Sequence, residues 1–96
     1  MLVLITYDVA TTSPNGQARL RKVAKTCERY GQRVQNSVFE CYIDQTKYTI
    51  VKKELTNLIN QDVDSLRFYQ LGNSHKHKVE HIGVTHGYDM EDPLIF

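Results

Sequence analysis

Two stretches of helical periodicity lie between stretches of strand-like sequence, and that order leaves few ways to build a single core. Leu20, Val23, Ala24, Cys27 and Tyr30 recur at helical spacing, forming one apolar stripe that Gly31 stops. Tyr48, Val51, Leu55, Leu58 and Ile59 mark a second amphipathic helix, with Asp44 as its N-cap and its end near Asn60. Ahead of the first helix, Leu2–Tyr7 is a β-prone run without alternation. It predicts a strand covered on both faces and ended by Asp8, next to a flexible loop at Thr11–Gly16. Between the helices, Arg33–Ile43 is β-prone, and a tight reversal near Asn36 and Ser37 would make it two strands. Ser65–Leu71 and Val79–Val84 read as two more.

The order is β-α-β-β-α-β with an extra C-terminal strand. The expected fold class is α+β and ferredoxin-like, an antiparallel sheet with two helices on one face. The 96 residues make one domain, with a core of about 1–84 and a partner-binding tail at 85–96. That tail ends in Pro93-Leu94-Ile95-Phe96, too apolar to be left in water without a partner. A chain this short buries only somewhat more than ~60% of its unfolded surface, so pairing with a second copy would help it.

The net charge of +1 hides an asymmetry. Residues 1–33 hold six basic side chains (Arg19, Arg21, Lys22, Lys25, Arg29, Arg33) against two acids, Asp8 and Glu28. A basic N-terminal third suits an anionic partner such as nucleic acid, although a solvated helix face has the same composition. Cys27 and Cys41 lie in apolar patterns without C-x-x-C spacing and read as reduced core residues of a cytosolic protein. The apolar start reaches an acid by position 8, no segment approaches a membrane span, and a cytoplasmic location is expected.

Asp8 stands out by its place at the end of a strand. A carboxylate is a hard oxygen ligand suited to Mg²⁺ or Mn²⁺, hence to phosphodiester chemistry, though one carboxylate per chain is a poor magnesium site. Two-fold symmetry would pair it with its copy; a capping role for the loop is the plainer alternative. Arg19, Arg21 and Arg33 could fork onto a phosphate backbone, and Tyr7 could supply a hydroxyl or a stacking face. Phe39 reads as core or as an exposed aromatic. His75, His77, His81 and His86 have no familiar zinc spacing and fall partly in a loop-like stretch.

Three stretches together resemble a known family: the strand LVLITYD, Arg-x-Arg at Arg19 and Arg21, and RVQNSVFE from Arg33 to Glu40. They are similar to the second CRISPR-associated protein family, the small dimeric subunit of spacer acquisition known as an endoribonuclease. The loop 11–16 and the tail resemble the variant accompanying the I-C subtype. The resemblance implies a ferredoxin-like homodimer with strand-end aspartates facing each other, and Mg²⁺-dependent cleavage of single-stranded RNA or double-stranded DNA. Carried over, Asp8 is the metal ligand and Tyr7 its neighbour in the cleft. Arg19, Arg21 and Arg33 contact the substrate backbone, with Ser37 and Phe39 in the same binding motif. The implied partners are the CRISPR integrase subunit and the nucleic acid. Positions 9–13 read Val-Ala-Thr-Thr-Ser, without the second acid of many members. That departure keeps open a non-catalytic DNA-binding scaffold that bridges integrase dimers, and a toxin-like ribonuclease is a further reading.

Overall fold

The computed structural model describes residues 1–71 and 77–85, with residue 77 described in its backbone alone. The expectations for His75, His86 and the segment 86–96, and for the side chain of His77, lie outside the described residues. The elements are β1 (Leu2–Asp8), α1 (Gly16–Tyr30), β2 (Gln32–Gln35), β3 (Val38–Tyr42), α2 (Gln45–Leu58), β4 (Ser65–Leu71) and β5 (His77–Gly83). They form one antiparallel sheet in the order β2-β3-β1-β4-β5. Two split β-α-β units around a central β1 are the ferredoxin-like arrangement, with β5 added at one edge.

Alternation along β1 decides which side chains face the helices. Val3, Ile5 and Tyr7 are buried, while Leu2, Leu4 and Thr6 are half-buried on the opposite face. The strand is therefore covered by helices on one face, not both. The run lacks alternation because the other face is apolar as well. There Leu2 stands opposite Tyr42 and Leu71, and Leu4 opposite Tyr69. Among the described residues no helix lies against that face.

The helices close the other side. From α1, Val23 and Cys27 are fully buried; from α2, Tyr48, Val51 and Leu55 join Ile5, Phe39, Leu66 and Phe68 in one core. Asp44 caps α2 as expected, its side chain accepting from the Lys47 amide at 2.8 Å. Gly31 does end α1, but its φ of −161° is ordinary extended backbone. Glycine is needed there for space, since a Cβ would collide with the Glu40 carbonyl and the Cys41 sulfur of β3. The reversal between β2 and β3 falls at Ser37, whose φ of 64° is left-handed. Its carbonyl accepts from the Tyr7 amide at 3.2 Å, tying the hairpin tip to the end of β1.

Burial holds both thiols well above the usual cysteine range. Cys27 is pushed up to about 12, with the nearby Cys41 thiol adding to the effect, and Cys41 to about 11. Both are free.

A candidate metal and nucleic-acid site at the end of β1

Asp8 is exposed and pairs with Ser65 at the start of β4. By alternation it shares the helix-free face with Leu2, Leu4 and Thr6. On the same face Thr6 pairs with Arg67, and Arg67 with His81. The Arg67 guanidinium donates to the Tyr69 hydroxyl at 3.2 Å and lies 3.4 Å from His81 Nδ1. His81 Nε2 is 2.9 Å from the Val84 carbonyl, so the proton belongs on Nε2 and Nδ1 is left to accept from Arg67. Among the described residues no group of three or more His, Cys, Asp or Glu could hold a metal ion. Among the described residues Asp8 is thus not part of a ready-made cluster of such ligands within one protomer.

Tyr7, expected beside Asp8, points the other way. It is 6% exposed on the helix side of the sheet, where its ring stacks on Phe39 with centroids 6.2 Å apart and planes at 24°. Burial raises the Tyr7 phenol above its ordinary value and the Cys27 thiol adds to this; Arg33 and Ser37 pull the other way. Phe39 is fully buried, and the Arg33 guanidinium lies 4.9 Å from its ring centre. Phe39 is therefore core, with no face open for a base to stack on. The structure brings Tyr7, Arg33, Ser37 and Phe39 together and sets them apart from Asp8 by the thickness of the sheet.

The arginines of α1 divide. Arg21 is exposed, as are Lys22, Lys25 and Arg29 on the following turns. Arg19 turns inward. Its Nε donates to Asp64 Oδ2 at 2.7 Å, and its Nη2 to Asp64 Oδ1 at 3.2 Å and Ser13 Oγ at 2.6 Å. Its Nη1 donates to the Pro14 carbonyl at 2.7 Å. Four bonds into the protein leave little of the fork to meet a phosphate, so its expected backbone contact gives way to an internal one.

Asp64, the partner of Arg19, is the residue that sequence reasoning missed. It is fully buried and also accepts from the amides of Ala10 and Asn60, each at 2.9 Å. Burial pushes its carboxyl up, but the bonds from Arg19, Asn60 and Ala10 outweigh this and hold it below the usual carboxylate range. The available signal was an acid standing directly before a strand as apolar as Ser65–Leu71. The loop after Asp8 is consequently pinned, where a flexible one was expected.

Fold and site define a small α+β protein with an exposed carboxylate at the end of its central strand and a run of cations along its first helix. Residues 1–79 match the family described as CRISPR associated protein Cas2. A "CRISPR-associated endonuclease Cas2" from Halalkalibacterium halodurans is 66% identical over 96 residues, all of both chains. A "CRISPR-associated endoribonuclease Cas2" from Nitratidesulfovibrio vulgaris is 52% identical over 95 residues, covering 99% of this chain and 93% of that one. The crystal structure of Streptococcus pyogenes Cas2 shares the fold with a TM-score of 0.70 at 54% identity, covering 77% of this chain and 89% of that chain. The chain belongs to the Cas2 family.

Proposed function

We propose that this chain is a metal-dependent endonuclease of CRISPR adaptation. It cuts phosphodiester bonds of single-stranded RNA or double-stranded DNA, works as a homodimer, and associates with the CRISPR integrase subunit. The exposed Asp8 carboxylate on a backbone pinned on both sides carries this reading. The names of the relatives from H. halodurans and N. vulgaris support it.

Asp8 suits a hard divalent cation in kind, being an exposed carboxylate, and falls short in number, since Mg²⁺ takes six oxygens. A second copy's Asp8, water and phosphate oxygens complete such a set. Bound there, Mg²⁺ (or Mn²⁺) would polarise the phosphate and lower the pKa of water. This chain's residues do the rest. Arg21, Lys22 and Lys25 offer exposed cations to the nucleic-acid backbone, while the neighbouring Arg29 is paired with Glu54 of α2. Tyr7, Phe39 and Arg33 stiffen the strand end from behind. The apolar helix-free face, with Tyr42 at 76% exposure, supplies the surface for the second copy.

The row of cations also favours the second reading, a DNA-binding scaffold, because it needs no metal. Cleavage assays on labelled single-stranded RNA and duplex DNA, with Mg²⁺ or chelator, separate the two. The nuclease reading expects cleavage that requires both Mg²⁺ and Asp8. Binding without cleavage, or an Asp8→Ala variant that cuts as well as the parent, leaves the scaffold.

A further inference from the structure

The residue that follows Asp8 by two is held at both of its backbone polar groups by one closed ring of hydrogen bonds. The Ala10 amide donates to Asp64 Oδ1 at 2.9 Å. Asp64 receives Arg19, Arg19 Nη2 donates to Ser13 Oγ, and Ser13 Oγ donates back to the Ala10 carbonyl at 2.6 Å. Gly16, buried at the start of α1, closes against the same place, where a Cβ would collide with the Ala10 carbonyl and Thr11. Asp64 is itself anchored by its backbone: its amide donates to Asn60 at 2.7 Å and its carbonyl accepts from Val84 at 2.9 Å. On the other side of Asp8, the Tyr7 amide is bound to Ser37.

A buried ion pair of this kind is not required for stability, because well-packed apolar side chains in its place are often as good. What an apolar pair could not do is hold an amide and a carbonyl in a fixed place. We propose that Asp64, through Arg19 and the Ala10 peptide, is a positioning residue for the Asp8 carboxylate. The ring fixes the path of the chain leaving β1, so that Asp8 meets a cation already aimed. This rests on the reading of Asp8 as the metal ligand. It also gives Arg19 a function distinct from a substrate contact, because four of its five donors are bound within the protein, three in the ring and one on the Pro14 carbonyl.

The test uses the full chain and four variants: Asp8→Ala, Asp64→Asn, Arg19→Gln and their Asp64/Arg19 double. Asp64→Asn keeps the shape but puts an amide NH₂ where a donor already points, which opens the ring. Mn²⁺ binding by electron paramagnetic resonance is read alongside single-turnover cleavage, and melting curves confirm that each variant is folded. The expected result is Mn²⁺ binding weakened about tenfold and a cleavage rate lowered about 10- to 100-fold in Asp64→Asn, with KM for the nucleic acid unchanged. Arg19→Gln behaves the same way, and the double variant is no worse than the poorer single, as expected for one unit.

A folded Asp64→Asn protein with parental Mn²⁺ affinity and rate overturns the proposal. So does an Arg19→Gln protein that loses only KM and salt dependence, for that is a substrate contact. If Asp8→Ala itself binds Mn²⁺ as the parent does, the underlying reading of Asp8 has failed, and the proposal with it. Should Asp64→Asn not fold, Ser13→Ala opens the ring without leaving a buried charge alone. It is expected to weaken Mn²⁺ binding in the same direction, and parental affinity there overturns the proposal too.

Discussion

Replacing Asp64 by alanine tests how far the ring holds the fold itself. The carboxylate is fully buried and the Arg19 side chain only 13% exposed. Removing one partner of a buried pair leaves the other charge uncompensated, at a cost of about 3–5 kcal/mol. The amides of Ala10 and Asn60 lose their acceptor as well, but that loss is not additive with the first. Arg19 keeps Ser13 and Pro14, which places the total at the low end, ~3 kcal/mol. In a domain of 96 residues each kcal/mol moves the melting temperature by roughly 4–8 °C, so the expected fall is at least about 12 °C. Thermal melts read that fall and urea unfolding reads the free-energy loss, both followed by circular dichroism at one fixed protomer concentration, with an unchanged m-value showing that the same surface is exposed. The double variant Asp64→Ala/Arg19→Ala should lose less than the two singles added together. A loss below about 1 kcal/mol for Asp64→Ala, or strict additivity in the double, would refute the reasoning, because either means that water solvates the carboxylate.

Acid should weaken the fold through Asp64, Glu54 and Glu80. Hydrogen bonds from Tyr30 to Glu54, and from Lys52 and Tyr48 to Glu80, hold those two below the ordinary value, as the ring does Asp64. A carboxyl whose folded pKa is depressed contributes stability above its unfolded pKa, near 4, and loses it as pH falls through the lower folded value. Urea midpoints should therefore be flat from neutral pH to about 5 and drop below about 4, less steeply in Asp64→Asn. Cys27 and Cys41 should react with a disulfide reagent at pH 8 only as fast as the protein opens, since burial puts them at about 12 and about 11; rapid labelling of folded protein would contradict this. Tyr42→Glu should leave the melting temperature of the protomer within a few degrees yet shift sedimentation towards the monomer, since the side chain is 76% exposed on the helix-free face. An unchanged dimer would place the interface elsewhere.

What the sequence made legible follows from the range of the forces involved. The apolar stripes of both helices, the Asp44 cap and the reversal at Ser37 are local, and each stood where its spacing put it. The element order then fixed the topology, because a split β-α-β pair has few ways to close. Leu2 and Leu4 misled because an uncovered apolar face produces the same uniform run as a strand buried twice. Tyr7 misled because proximity in sequence to Asp8 is not proximity in space when side chains alternate across a sheet, and of the two readings of Phe39 the structure shows the core one. The Arg19–Asp64 ring spans 45 residues, and no periodicity encodes a contact of that length.

Alternation at the end of β1 has a consequence for the number of protomers that a site needs. Tyr7 and its neighbours are packed away on the helix side, so chemistry at Asp8 belongs to the helix-free face. One carboxylate supplies at most two of the six oxygens that Mg²⁺ requires. If the proposed site is shared across a two-fold axis, each dimer has one centre built from two Asp8 side chains, and a dimer with a single Asp8 is inactive. Mixing the parent protein with an equal amount of Asp8→Ala, under conditions of subunit exchange, then gives a specific activity per total protein roughly a quarter of the parent's, the fraction of dimers with both acids. Independent sites, one per protomer, would instead leave roughly a half. The salt dependence of duplex binding should be the same in the parent, the mixture and the variant, since the cations of α1 are untouched. A half with unchanged binding would return the metal to a single protomer and require donors beyond Asp8.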